Sequence, residues 1–443
     1  MLKISLDLRA IAAIAILMYC MAPPGLAADT AGQGAEGGSL ALTVKPVVIR
    51  LGDLPGLAGA PREKLAVMAY KDGIARPVPF QVDPGDGAGY VLGTPERPLT
   101  DPTPPGPAGA RDELVFMAGD AGERGPAPPE MKNPCAIEAR DPITGQSVWA
   151  YAGVWTQGPP PRSKEDYVAY QIAPEMEKVV TPHYVQDYGP SELFISDMFI
   201  LPAAGGDGRD IFDKLKMRSS ITAAAGAIKM SFSEEDFVSE IVGVRDGPVR
   251  VIRRNKTALK FFLGLTTPSV LVDGMFYRDS YEVPATLQLP FRADLVLSSM
   301  TYYQGCDLSL AAGPFTYYAD VAPSGVKVDG VMSEQEKALA NSAAEHSWGL
   351  VTGPAGTLFY QARWQKAGTP TRILPFYDDE KDRQDPPENE PGLAMFGFRL
   401  ENPLALKNGA YDLNIVNYIL PSFQGDAPAT AKELAAPLEI TIK

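Results

Sequence analysis

The sequence predicts a mainly β protein, a large antiparallel β-sandwich with a smaller N-terminal β region and few helices. Three observations carry this. Gly and Pro number 42 each in 443 residues, about 19% of the chain against roughly 12% in average usage. Short apolar runs alternate with polar residues at the two-residue period of half-buried antiparallel strands. Turn clusters separate those runs at spacings that suit a sandwich or barrel, with no fixed internal repeat of the kind a propeller or solenoid needs. The same composition excludes other classes. A chain that is 45% hydrophobic and 9% aromatic can bury enough surface to fold, and its Pro content is foreign to coiled coils and helical arrays.

Along the chain, residues 1–28 read as an export signal. Lys3 and Arg9 precede an apolar run from Ala10 to Met18, and Leu26-Ala27-Ala28 supplies small residues for cleavage. That run is too short to span a bilayer, and no later segment reaches about 18 uninterrupted apolar residues. The expected location is periplasmic or secreted, with no transmembrane segment in the mature chain. Removing Lys3, Arg9 and Asp7 leaves 38 basic and 53 acidic residues, so net −14 becomes −15. Such a field disfavours nucleic acid and anionic lipid. An oxidising compartment permits a disulfide between Cys135 and Cys306; two separate buried thiols are the alternative.

Residues 29–38 read as a flexible lead-in, 39–165 as the N-terminal β region and 166–443 as the large sandwich. Predicted strands of the first region are Leu40–Leu51, Leu65–Tyr70, Val78–Asp83, Glu113–Ala118, Cys135–Arg140 and Ser147–Trp155. The Pro-rich stretch 84–111 reads as loop, and Gly158-Pro159-Pro160-Pro161 marks the boundary, since it continues neither helix nor strand. The second region begins with Tyr167–Tyr170 and Leu193–Leu201. Ile228–Phe232, Phe237–Val244, Val249–Arg253, Leu259–Leu265, Phe276–Val283, Leu295–Tyr303 and Phe315–Val321 follow. Its tail adds Leu350-Val351, Thr357–Trp364, Arg372–Tyr377, Met395–Leu400, Tyr411–Leu420 and Leu438–Ile442. Ser333 and Glu336 form a capping-box pattern that starts the one predicted helix. Asp378–Pro391, charged and Pro-rich, reads as a long exposed loop.

The most distinctive motif is Gly243–Arg254, a strand, a tight Asp246-Gly247-Pro248 turn and a second strand bearing Arg250, Arg253 and Arg254. Several Arg on one strand can cradle a carboxylate or sugar acid, or can pair on a solvated face with acids such as Glu234, Glu235 and Asp236. The segment Asp246–Arg250 resembles a feature of galactose-mutarotase-like β-sandwiches. Val78–Asp83 with Asp112–Gly122 is similar to segments of uncharacterised exported bacterial proteins of that type. The resemblance implies a two-sheet sandwich and a carbohydrate-active setting. Enzymes of that kind would use a His and a carboxylate on sugar oxygens; no aligned pair is present, so no catalytic residue is carried over.

The candidate catalytic residues are therefore His346, His183, Arg250 and Tyr303, groups able to move a proton or hold an acid. Arg254, Trp348, Tyr281 and Trp364 are candidates for ligand contact, with an outward row of aromatics as a glycan platform and cross-strand packing as its alternative. A metal centre needing three His is impossible within one chain, and two His with an Asp or Glu have no supporting spacing. Asp207, Asp210 and Asp213, or Asp83 and Asp86, lack the spacing of a Ca loop. No phosphate loop, Gly-x-Ser-x-Gly elbow or Cys-x-x-Cys is present. Neither metal nor cofactor is expected. Two readings follow: an envelope binding or accessory protein whose partner is a glycan or another envelope protein, or a carbohydrate-active enzyme of lyase or epimerase type. The enzyme reading requires a His, an Arg of 250–254 and a Tyr to meet in one cleft.

Overall fold

Strands with one buried face must stack, and in the computed structural model they do so around separate cores. The structure describes residues 38–443 apart from 88, 175, 190–192, 224–225, 262–264, 268, 290–296, 310–311, 365, 367, 386–393, 422 and 424. The export-signal reading and all but the last residue of the lead-in lie outside the described residues.

The sandwich has two main layers, and every strand pairing in them is antiparallel. One is a ten-stranded sheet running Phe237–Asp246, Val251–Phe261, Val270–Phe276, Ser280–Leu289, Gly409–Ile419, Gly356–Trp364, Trp348–Gly353, Phe315–Ala319 and Ala322–Val328, with Leu265–Thr266 beside the second strand. The other is a five-stranded sheet, Ile228–Ser233, Phe212–Ala223, Leu297–Leu308, Met395–Glu401 and Arg372–Asp378. A four-stranded sheet (Asp197–Ile200, Tyr184–Tyr188, Met176–Val180, Ala169–Ala173) adds to the same core. That core joins Tyr184 and Ile200 to Leu358, Tyr360 and Ile419 of one layer and Phe212, Cys306 and Phe396 of the other.

The N-terminal region packs a three-stranded sheet (Pro46–Arg50, Glu113–Met117, Gln81–Asp83) on a five-stranded one (Glu439–Ile442, Met131–Arg140, Ser147–Trp155, Leu65–Lys71, Ile74–Pro77). Its core includes Val47, Ile49, Val67, Phe116, Ile137 and Ala150. The strand Glu439–Ile442 thus belongs to the N-terminal sheet, through Ile442 opposite Ile137, and not to the sandwich where 166–443 placed it.

Other differences have local causes. Leu40–Leu51 is not one strand: Leu40–Val44 is a short helix whose N-cap Ser39 hydroxyl accepts from Leu42 N, and Pro46 opens the strand that follows. Val249–Arg253 and Leu259–Leu265 merge into Val251–Phe261, while Phe276–Val283 splits at the turn before Ser280. A third helix, Ala427–Ala435, has Asp426 as its N-cap, accepting from Ala429 N. The Asp378 loop is not simply exposed. Asp379 accepts from Asp329 N and Gly330 N, and Asp385 pairs with Arg218; its residues 386–391 lie outside the described set.

The predicted helix is Glu334–Ala340, and its capping box is complete. Glu336 N donates to Ser333 Oγ at 3.3 Å, and Ser333 N donates to Glu336 Oε2 at 2.7 Å. Ser333→Ala is expected to cost about 1 kcal/mol in a urea melt; a change within 0.3 kcal/mol of zero, well under that typical cost, would show the cap to be dispensable.

Candidate functional site

Alternation along a strand gives the ten-stranded sheet two different faces. From Ser280–Leu289, Gly409–Ile419 and Gly356–Trp364, the side chains of Tyr281, Val283, Leu413, Ile415, Asn417 and Tyr360 point between the layers. From the same strands, Ser280, Glu282, Asn414, Val416, Gln361 and Arg363 point the other way, toward the N-terminal region. Each face borders a cavity.

The interlayer cavity is narrow, about 90 Å³ in volume. Its walls are mostly apolar and aromatic, with Phe276 and Val272 on one layer and Tyr302, Phe396 and Phe398 on the other. Part of the floor is bare because Gly305 and Gly397 face each other across the five-stranded sheet. A Cβ at Gly397 would lie 2.1 Å from Gln304 O, so no larger residue fits there. Besides tyrosine hydroxyls and the Cys306 thiol, one guanidinium and three amide side chains line the space. Arg253 is buried, pairs with both oxygens of Glu177 and lies 4.1 Å over the Tyr188 ring. Asn255 accepts from Arg253 at 2.6 Å, and Gln304 accepts from the Tyr302 hydroxyl at 2.7 Å. Asn417, 7% exposed, makes no side-chain hydrogen bond among the described residues.

The eight candidate side chains do not share a site. His346 is buried and donates from Nε2 to Tyr360 Oη at 2.7 Å, because the single Tyr360 proton goes to Gly397 O at 2.9 Å. Its Nδ1 stands 3.7 Å from Asp320, and burial lowers its pKa to about 4. His183 sits in the turn before Tyr184–Tyr188 and pairs with buried Asp279, which also holds Arg278 at 2.7 Å. Tyr303 stacks on Phe376 at 4.2 Å and donates to Asp385. Arg254 is held by both oxygens of Asp273 at 2.6 and 2.7 Å. Trp348 lies stacked on Phe359 in a core shared with the helix Ala427–Ala435. Trp364 packs beside Phe398 and Tyr302. Of the eight, Tyr281 alone lines the interlayer cavity, and His346 touches its wall through Tyr360. No hydrogen bond, ion pair or ring contact joins His183, His346, Arg250 and Tyr303 among the described residues. Of the aromatics, Tyr277, Tyr281, Tyr302, Tyr317, Trp348, Phe359 and Tyr360 are buried, while Tyr303, Tyr318 and Trp364 are half-buried and packed on Phe376, Phe423 and the Phe398 core rather than set in one open row.

Apart from Arg253, which lines the interlayer cavity, the arginine motif forms neither a ligand cradle nor a solvated face. Asp83, fully buried, accepts from Arg245 and, through its other oxygen, from Arg250 Nε at 2.9 Å. Gln81 Oε1 accepts Val249 N at 3.0 Å and Arg250 N at 2.8 Å, while its Nε2 donates to Asp83 and to Arg250 O. Gly247 is required because a Cβ would lie 2.4 Å from Gln81 Oε1. Arg250 continues to Glu113 at 2.8 Å and to the Tyr277 hydroxyl at 3.3 Å. Thus Val78–Asp83 and Asp246–Arg250 are two halves of one clamp between the N-terminal region and the sandwich. Glu234 and Glu235 serve Arg218 and Lys214 instead.

The disulfide is not formed. Cys135 and Cys306 are free, Cys135 in the N-terminal core and Cys306 at the interlayer cavity. Burial raises both thiol pKa values. The acidic loops are spent internally: Asp207 holds Arg209, and Asp210 accepts from Met198 N and Phe212 N.

The class these features define is a β-sandwich protein with an apolar cavity between its layers. No family model and no curated protein sequence matches the chain. Among solved structures it is similar to an alpha-mannosidase from Enterococcus faecalis, at 10% identity and a TM-score of 0.43. The match covers 90% of this chain and 44% of that one, so the chain spans less than half the length of that protein.

Proposed function

We propose that the protein is an exported binding protein that holds a small, largely apolar ligand between the layers of its sandwich. The observation that carries this reading is the interlayer cavity. Its apolar, aromatic wall with a few placed polar groups is that of small-molecule sites. Asn417 offers the unspent amide that would fix the ligand's polar end, since a buried amide left unpaired costs about 1–3 kcal/mol. Export rests on the character of residues 1–28. The carbohydrate-active enzyme reading asks for a His, an Arg of 250–254 and a Tyr in one cleft, and its candidates lie apart, each committed to a neighbour. An apolar wall also suits a ring or alkyl chain better than a hydroxylated glycan.

Ile415→Trp should fill the cavity. In a titration with the fluorescent apolar probe N-phenylnaphthylamine, the parent protein is expected to bind. The variant, folded by circular dichroism, should bind at least roughly tenfold more weakly, a loss of about 1.4 kcal/mol. Absence of binding by the parent protein, or equal binding by the variant, would refute the proposal.

A further inference from the structure

The opposite face of the same strands carries a second site. Register sets Glu282 beside Val416 and Val416 beside Gln361, and in the next row Asn414 beside Arg363. These side chains form one compact polar patch. Residues 46–48, the end of the helix Ala427–Ala435, residues 436–438 and Ile440 wall it in, around a cavity of about 290 Å³.

The patch holds polar groups that the protein itself does not use. Gln361 is 5% exposed, yet its amide makes no hydrogen bond to another described residue. Asn414 Oδ1 is buried with no partner among them. An apolar occupant would leave both amides unpaired, at a cost of about 1–3 kcal/mol each. The charged groups are Lys45, Arg363 and Glu282. Lys45 Nζ is bound to the helix-end carbonyls of Glu433 and Ala436. Arg363 spends Nη1 on Ala435 O at 3.3 Å, and its other nitrogens bond no described residue. Glu282 takes the Tyr277 hydroxyl on Oε1 at 3.2 Å, and burial raises its carboxyl pKa. Lys45 is partly offset by Glu433 and Asp141, so Arg363 is the cation left to meet a single negative charge, while a dianion such as phosphate would meet Glu282.

The geometry points to a binding site for a small polyhydroxylated monocarboxylate, with Arg363 on the carboxylate and Gln361, Asn414 and Glu282 on the hydroxyls. A guanidinium grips a carboxylate in a fork. Primary amides offer a donor and an acceptor side by side, the pair that a hydroxyl requires. This site is independent of the interlayer cavity, and Ile415→Trp should leave it intact.

Calorimetric titration of the full chain with gluconate, glucitol and propionate tests the proposal, since the last two lack the carboxylate and the hydroxyls respectively. Gluconate is expected to bind, and each of the other two at least roughly tenfold more weakly. Arg363→Gln should lower gluconate affinity by a similar factor and leave glucitol unchanged. Gln361→Leu should weaken both, and it guards against the loss of helix capping that Arg363→Gln also entails. Failure of gluconate to bind, equal binding of glucitol or propionate, or unchanged affinity in both variants would overturn the site.

Discussion

Asp83→Ala is expected to destabilise the protein by on the order of 3–5 kcal/mol, the scale for breaking a buried ion pair by removing one partner. Asp83 is fully buried and serves two cations that are themselves buried. Arg245 would keep only its bonds to Val82 O at 2.8 Å and Asp101 O at 2.9 Å, and its Nη1 already lacks a partner among the described residues. Arg250 would keep Glu113. The clamp would also lose one of the two acceptors of Gln81 Nε2. The measurement is equilibrium urea unfolding. A loss under 1 kcal/mol, less than a single unsatisfied buried group costs, would contradict the clamp. Replacing Asp83, Arg245 and Arg250 together by apolar residues should recover much of the stability, because desolvating charges offsets most of what their pairing contributes.

The second large effect is a pH dependence centred on His346. Burial lowers its pKa from the ordinary 6.5 to about 4, against the opposing pull of Asp320. The unfolded chain therefore takes up this proton first. The stability that the neutral His346 contributes is fully present above pH 6.5 and is lost as pH falls toward 4, about 3 kcal/mol in all. Asp210, Asp246 and Asp379 act in the opposite sense, because burial raises each to about 6. They favour the folded state as pH drops below that value. Comparison with His346→Gln cancels them. Between pH 7 and pH 4.5 the stability advantage of the parent protein over the variant should shrink by about 2 kcal/mol. A constant gap would mean that His346 titrates in the folded protein as freely as in the unfolded chain.

Continuous apolar runs bounded by turn residues were legible in the sequence. Ser147–Trp155 appears with the bounds its pattern predicts, and the capping box of Ser333 and Glu336 placed its helix. Leu40–Val44 reads as strand because Thr43 and Val44 favour strands and the run continues into Val47–Ile49, whereas Ser39 capping and packing near the helix Ala427–Ala435 decide otherwise. That later helix had a usable signature, Asp426 as N-cap with a Pro in the first turn. The sites were less legible. Arg250 looked like a ligand group because its partner Asp83 lies 167 residues away, and nothing local distinguishes an arginine facing a ligand from one clamped to another sheet. Gln361, Asn414 and Asn417 carry no motif at all. Their importance comes from being polar, enclosed and unspent, which only the packed sheet reveals. Strand parity is the one signal that could have separated the two faces, since Leu413, Ile415 and Asn417 alternate with Asn414 and Val416.

The strand Glu439–Ile442 closes the N-terminal sheet on Met131–Arg140, with Arg140 and Glu439 paired across 299 positions. During synthesis, that sheet keeps an open edge until the whole intervening sandwich has been made. Contacts so distant in sequence slow folding, and an unpaired edge is a template for misassembly. A fragment ending near residue 165 would carry that open edge permanently. The N-terminal sheet is thus completed only by the last strand of the sequence, Glu439–Ile442.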